Sequence, residues 1–242
     1  MNTCSLAGPG KALGLLVFSA LLVASFSNTS RARQDVPNPR VDAPLARAHG
    51  LQTAVFAGGC FWGIEAVFEH VKGVSAASSG YAGGSRATAD YETVSGGRTG
   101  HAESVKVSYD PSLVSYGQLL KVFFSVAHDP TQLNRQSPDH GTQYRSAIFF
   151  VDAEQQRIAN AYIAQMSAAS TFSKQPIVTQ VVPLKAFYPA EAYHQDFARL
   201  NPDYPYIVVN DAPKVARLKQ KLPGLYRDSW PNELAARSAR PR

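Results

Sequence analysis

Along the chain, apolar residues first fall into a usable pattern at Thr53-Ala54-Val55-Phe56-Ala57, a short run with the character of a buried strand. Two glycines end it, and the next apolar positions, Phe61, Ile64, Val67, Phe68 and Val71, recur at helical spacing. Val105, Val107 and Tyr109 alternate with Lys106 and Ser108, the period of a half-buried strand that Asp110-Pro111 ends. Ser115 and Gln118 have capping-box spacing ahead of a stripe of Tyr116, Leu119, Leu120, Phe123 and Phe124. After a polar loop from Asp129 to Thr142 the pattern predicts a strand over Tyr144–Val151, then a helix opened by Asp152–Gln155 with Ile158, Ala161, Tyr162 and Met166 on one side. A strand at Ile177–Val182 and a short helix at Glu191–Leu200 follow. Ser75 to Gly100, rich in Gly, Ser and Ala, reads as a long loop broken by short elements. Strands alternating with helices around one sheet predict an α/β two-layer sandwich in a single domain with irregular loops.

The ends of the chain differ from this middle. Lys11 precedes an apolar run from Ala12 to Phe26, so residues 1–27 are expected to be a secretory signal peptide, with a retained membrane anchor as the alternative. Export, to the periplasm, is the expected destination. Residues 28–50 lack apolar periodicity and read as a flexible linker, leaving 51–211 as the folded domain and 212–242 as a basic extension. Charge follows the same division. Of 24 Lys+Arg and 18 Asp+Glu, the two ends hold 13 and 4, so residues 51–211 carry 11 basic against 14 acidic side chains, a net of −3. The basicity belongs to the tails, and no nucleic-acid partner is expected for the core.

The chain has two cysteines, Cys4 and Cys60, and Cys4 would leave with a cleaved signal. Cys60 would then be alone, without an internal disulfide. It lies between backbone-permissive glycines, at the expected start of a helix, where free N–H groups and the helix dipole favour thiolate over thiol. Phe61 and Trp62 follow it directly, apolar surface that suits a pocket wall.

Glu103 lies two residues before Val105: on that buried face its pKa would be raised into the range of a general acid, whereas a twisted or frayed strand start would leave it an ordinary solvated acid. Tyr91 and Tyr144 are open between core or rim packing and donation to a polarised oxygen, and Asp139 between turn chemistry and ligand contact. No metal site is expected. Glu191 and His194 have carboxylate–histidine spacing, but a bundle-type dimetal centre needs two such pairs. Phosphate loops and dinucleotide fingerprints are absent from the sequence.

Five separated motifs, in order, resemble the peptide methionine sulfoxide reductase A family across Thr53 to Asn201: Gly59-Cys60-Phe61-Trp62-Gly63, Gly80-Tyr81-Ala82-Gly83-Gly84, Gly100-His101-Ala102-Glu103, His128-Asp129-Pro130, and Asp139-His140-Gly141-Thr142-Gln143-Tyr144-Arg145-Ser146. The resemblance implies a two-layer α/β fold with a ferredoxin-like plait, and an oxidoreductase that repairs oxidised proteins by reducing the S epimer of methionine sulfoxide, protein-bound or free. It implies Cys60 as nucleophile, Glu103 as acid, Tyr91 and Tyr144 around the sulfoxide oxygen, Phe61 and Trp62 against the substrate methyl, and Asp139 as a site aspartate.

The chemistry of those residues agrees: thiolate attack on an electrophilic sulfur, with protonation of its oxygen, leaves Cys60 as a sulfenic acid. Many relatives resolve that acid with a second cysteine in a glycine-rich C-terminal tail, where this chain reads Asn201 to Asn210 without one, and Ser95 stands where some relatives carry cysteine. With no bound cofactor, the expected reductant is an external thiol, whether thioredoxin-like, glutaredoxin-like or small, acting on a monomer. The rival readings are a single-cysteine thiol peroxidase and a non-enzymatic exported binding module.

Overall fold

The structure is a computed structural model, and it describes residues 35–173 and 175–228. The expected signal segment and Cys4 lie outside the described residues. In chain order the elements are β1 (Gln52–Ala57), α1 (Phe61–Glu69), β2 (Val74–Ala82), α2 (Tyr91–Ser95), β3 (Ala102–Tyr109), α3 (Tyr116–Val122), the two-residue strands β4 (Arg135–Gln136) and β5 (Asp139–His140), β6 (Ala147–Phe150), α4 (Ala153–Ala168), β7 (Gln180–Pro183), β8 (Phe187–Pro189), α5 (Phe197–Leu200) and α6 (Ala212–Lys221).

Six strands form one sheet in the order β7-β6-β1-β3-β2-β8, antiparallel throughout except for β6 beside β7. Its centre, β6-β1-β3-β2 linked through α1 and α3, is the β-α-β-β-α-β plait. The period of two along each strand decides which side chains meet the helices. Ala54 and Phe56 of β1 join Val105, Val107 and Ile148 in the main core, where the Phe56 ring stacks on Phe68 of α1 at 5.1 Å and on Phe123 beyond α3 at 5.0 Å. Val55, Ala57, Ala102 and Phe149 form a smaller cluster on the opposite face. Glu103, in phase with Val105, is therefore carried on the helix-covered face.

Local sequence chemistry sets the helix starts as expected. Ser115 and Gln118 make a complete capping box, and Asp152 accepts from the Gln155 N–H at 2.8 Å. Four expectations change. The expected loop after Ser75 contains β2, a nine-residue strand of small residues that admits close neighbours: a side chain at Gly80 would overlap Phe187 of β8. Glu191–Leu200 forms two short helical turns separated by Gln195 and Asp196, the latter left-handed at φ 54°.

From Asp35 the expected linker is docked. Asp42 accepts from the Gly117 N–H at 2.7 Å, and the Tyr162 hydroxyl donates to the Pro37 carbonyl at 2.6 Å. At the other end, the expected extension begins as helix α6, whose Leu218 is fully buried, and the Arg227 guanidinium donates to the Val74 carbonyl at 2.6 Å. The structured unit thus runs past residue 211 because an apolar stripe of Val215, Leu218 and Leu222 packs on the core.

Candidate active site

Strand β1 ends in a tight turn that delivers Cys60 to the start of α1. Gly59 has φ +101°, and any side chain at Gly58 or Gly59 would overlap His128 or Gln136. Cys60 occupies the N-cap with non-helical backbone (φ −51°, ψ 126°). The Phe61 N–H, which the helix itself leaves without a partner, donates to Glu103 Oε2 at 3.1 Å. That bond ties the acid to the residue that follows the nucleophile, 42 residues apart in the chain.

The electrostatics correct one expectation. Cys60 is buried, at 8 % exposure, and burial, reinforced by the Glu103 and Asp211 carboxyls, pushes its thiol well above the ordinary value, while the Trp62 N–H and Lys214 pull the other way. Desolvation outweighs the helix terminus, so the resting group is a neutral thiol rather than the expected thiolate. Glu103 behaves as expected. At 2 % exposure it is pushed up to about 8, by burial first and then by Asp139 and Asp211, against the pull of the Phe61 N–H. It is largely protonated at neutral pH.

Around this pair stand the other expected residues. Tyr91 opens α2, its N–H held by Glu191 Oε1 at 2.9 Å. Tyr144 ends a short helical turn after Gly141. Both phenols are half-buried and pushed up, by burial and then by Glu103, so both are proton-bearing donors. Asp139 in β5 accepts from the Tyr206 hydroxyl. Tyr206 is pushed up by burial and, next, by Cys60, which sets it at the same cluster. Sequence reasoning missed it because no motif surrounds it.

Phe61 and Trp62 differ in what they face. Phe61 is buried against Tyr81 and His194, at ring distances of 5.9 and 5.0 Å. Trp62 is half-buried, stacked on Phe197 at 3.8 Å, edged by Tyr206 at 6.0 Å, and its indole N–H donates to His194 Nδ1 at 3.2 Å. The rings form a fixed wall whose members His194 and Phe197 lie in the segment expected only as a short helix. Glu191 accepts the Tyr81 hydroxyl at 2.9 Å as well as the Tyr91 N–H, so it organises this wall. Among the described residues, no group of three His, Cys, Asp or Glu side chains is placed to hold a metal ion.

A buried thiol, a protonated carboxylic acid, phenol donors and an aromatic wall can together bind a small polarised S–O or O–O group and reduce it. The comparisons decide between such substrates. The profile of the family described as peptide methionine sulfoxide reductase matches residues 52–224. A relative from Mesorhizobium japonicum, peptide methionine sulfoxide reductase MsrA 2, is 64 % identical over 179 residues, which cover 74 % of this chain and 91 % of the relative. One of the same name from Synechocystis is 51 % identical over 86 % of this chain and 96 % of its own length.

Solved structures agree. Yeast Mxr1 in reduced form aligns with a TM-score of 0.58 at 31 % identity, covering 68 % of this chain and 92 % of its own. Methionine sulfoxide reductase A of Corynebacterium diphtheriae aligns at 0.55 and 36 %, covering 70 % and 85 %. With its fold, its motifs and nearly three quarters of its length accounted for in this way, the chain belongs to the peptide methionine sulfoxide reductase family.

Proposed function

We propose that Cys60 and Glu103 carry out the thiol-dependent reduction of methionine sulfoxide by which this family repairs oxidised proteins. The observation that carries the residue assignment is the buried Glu103 carboxyl, raised to about 8 and bonded at 3.1 Å to the residue that follows the thiol. A sulfoxide oxygen leaves only when protonated, and a carboxyl that is largely protonated near neutrality supplies that proton without waiting for solvent. Tyr91 and Tyr144 donate to the same oxygen. The methyl group lies against Phe61 and Trp62, where each buried carbon contributes about 0.8 kcal/mol and turns the sulfur toward Cys60. Attack on sulfur then yields methionine and a Cys60 sulfenic acid. Asp139, held by Tyr206, fixes the polar side of the pocket.

A chiral site discriminates between epimers, and the family resemblance supports the S form as the substrate. No second thiol exists among the described residues, and Ile207, Val208 and Val209 occupy the C-terminal stretch beside the site. Regeneration therefore falls to an external thiol, a thioredoxin-like or glutaredoxin-like protein or a small thiol, which forms a mixed disulfide with Cys60. The apolar run from Ala12 to Phe26 after Lys11 supports an exported protein acting on exported substrates. The test is epimer-resolved turnover by the full chain and by Cys60→Ser. The wild type is expected to consume the S form of a methionine sulfoxide peptide and the variant neither; equal use of both forms, or turnover by Cys60→Ser, overturns the reading.

A further inference from the structure

Asp211 has no part in the scheme above, yet it is placed like a participant. It lies where the helical turn Ile207–Asp211 runs directly into α6, with helical backbone, and its side chain bonds no backbone N–H there. It is turned inward and fully buried instead. Its Oδ1 accepts from Lys214 Nζ at 2.9 Å, and its Oδ2 has no hydrogen-bond partner. The carboxyl lies over the first turn of α1: a side chain at Gly63, three residues after Cys60, would overlap it. A desolvated carboxylate oxygen without a donor is costly and needs a reason.

The reaction leaves one role unfilled. Since burial keeps the Cys60 thiol neutral, its proton must leave as the sulfur attacks. Glu103 is the acid for the oxygen and cannot accept a second proton while it holds the first. The phenols of Tyr91, Tyr144 and Tyr206 are protonated, Asp139 is engaged by Tyr206, and Lys214 is a cation. Of the groups acting on the sulfur, Asp211 remains.

We propose that Asp211, ion-paired to Lys214, is the general base that accepts the Cys60 proton during attack on the sulfoxide. The inference rests on the sulfoxide-reductase reading and adds a second carboxyl to it. Oδ2 makes no hydrogen bond to Sγ in the substrate-free protein, so the step requires the two to close up as substrate binds; the thiol proton then moves from Cys60 Sγ to Asp211 Oδ2 while Sγ bonds to the sulfoxide sulfur and Glu103 protonates the oxygen. The S–O bond of the substrate then breaks as the hydroxyl passes to Sγ, giving methionine, reduced by two electrons, and Cys60–SOH, oxidised by two. Asp211 ends protonated and Glu103 ionised, and one proton transfer between them through solvent restores the resting state.

The test is single-turnover methionine formation as a function of pH, with wild-type protein and no reductant. A base must be ionised to act, so the rate falls below the pKa of Asp211. Burial pushes the Asp211 carboxyl up and Asp139 from β5 adds to the rise, while Lys214 from its own helix pulls it down; Asp211 acts in turn on Cys60, Glu103 and Tyr206. Asp211→Asn is expected to slow methionine formation by about 100-fold and to abolish the acid limb, and Asp211→Glu to restore part of the rate. Lys214→Met removes the cation, so the acid limb is expected to move up by about one pH unit or more. A folded Asp211→Asn protein within twofold of wild type overturns the proposal. If that variant does not fold, an unmoved acid limb in Lys214→Met overturns it. Wild-type protein that forms no methionine at all would refute the sulfoxide-reductase reading instead.

Discussion

Helix α1 carries buried carboxyls at both ends, and only one end forms a reactive site. At its start, Glu103 and Asp211 press on a thiol. One and two turns later its own Glu65 and Glu69 are just as buried, pushed up by desolvation to about 7 and about 9. Glu65 accepts from Ser79 Oγ at 3.0 Å, and the two line a hollow of about 200 Å³ with Gln195 and Asp196. No thiol and no aromatic ring lines that hollow. Burial, helped by neighbouring carboxyls, is thus enough to raise a carboxyl, which becomes an acid catalyst only where a nucleophile and a substrate wall face it.

Exchanging the two ends of the helix sharpens the comparison. Glu103→Gln keeps the Phe61 bond but removes the proton, and is expected to lower single-turnover methionine formation by roughly 100-fold or more with the substrate constant little changed. A rate within threefold would place the acid elsewhere. Trp62→Ala, which removes the stack on Phe197 and the methyl contact, is expected to raise KM about tenfold with a smaller effect on kcat, read from steady-state kinetics with a sulfoxide peptide.

At the quiet end, Glu69→Gln is expected to leave turnover within twofold of wild type and to change stability instead. A carboxyl whose folded pKa lies above its unfolded value binds more protons when folded, so its favourable contribution is present at low pH and is lost as pH rises from about 4.5 toward about 9. The wild-type Tm should fall across that range, and the variant's should fall less, by at least about 2 °C at pH 9. Parallel Tm curves would show that Glu69 is not titrating in the fold.

Why one end was legible and the other half of the site was not follows from how the residues are connected. Cys60 and Glu103 each sit in a local pattern, a strand-to-helix switch and an alternating strand, and those patterns fix burial and direction. Strand β2 hid because its residues, Val74-Ser75-Ala76-Ala77-Ser78-Ser79-Gly80, are small, chosen for close approach rather than for an apolar face. The helix-terminus argument for Cys60 gave the right position and the wrong resting charge, since sequence shows a dipole but not the depth of burial. His194, Phe197, Tyr206 and Asp211 reach the site from 130 to 150 residues away, through tertiary contacts no local spacing encodes. For α6 a signal was present: Val215, Leu218 and Leu222 recur at helical spacing inside a segment whose charge count drew attention to its basicity.

The most direct measurement is a single turnover with the S epimer in the presence of a sulfenic-acid trap such as dimedone, followed by mass spectrometry of the Cys60 peptide and quantitation of methionine. One trapped adduct on Cys60 for each methionine released is the predicted result. Methionine released while Cys60 remains a free, unmodified thiol would contradict the account.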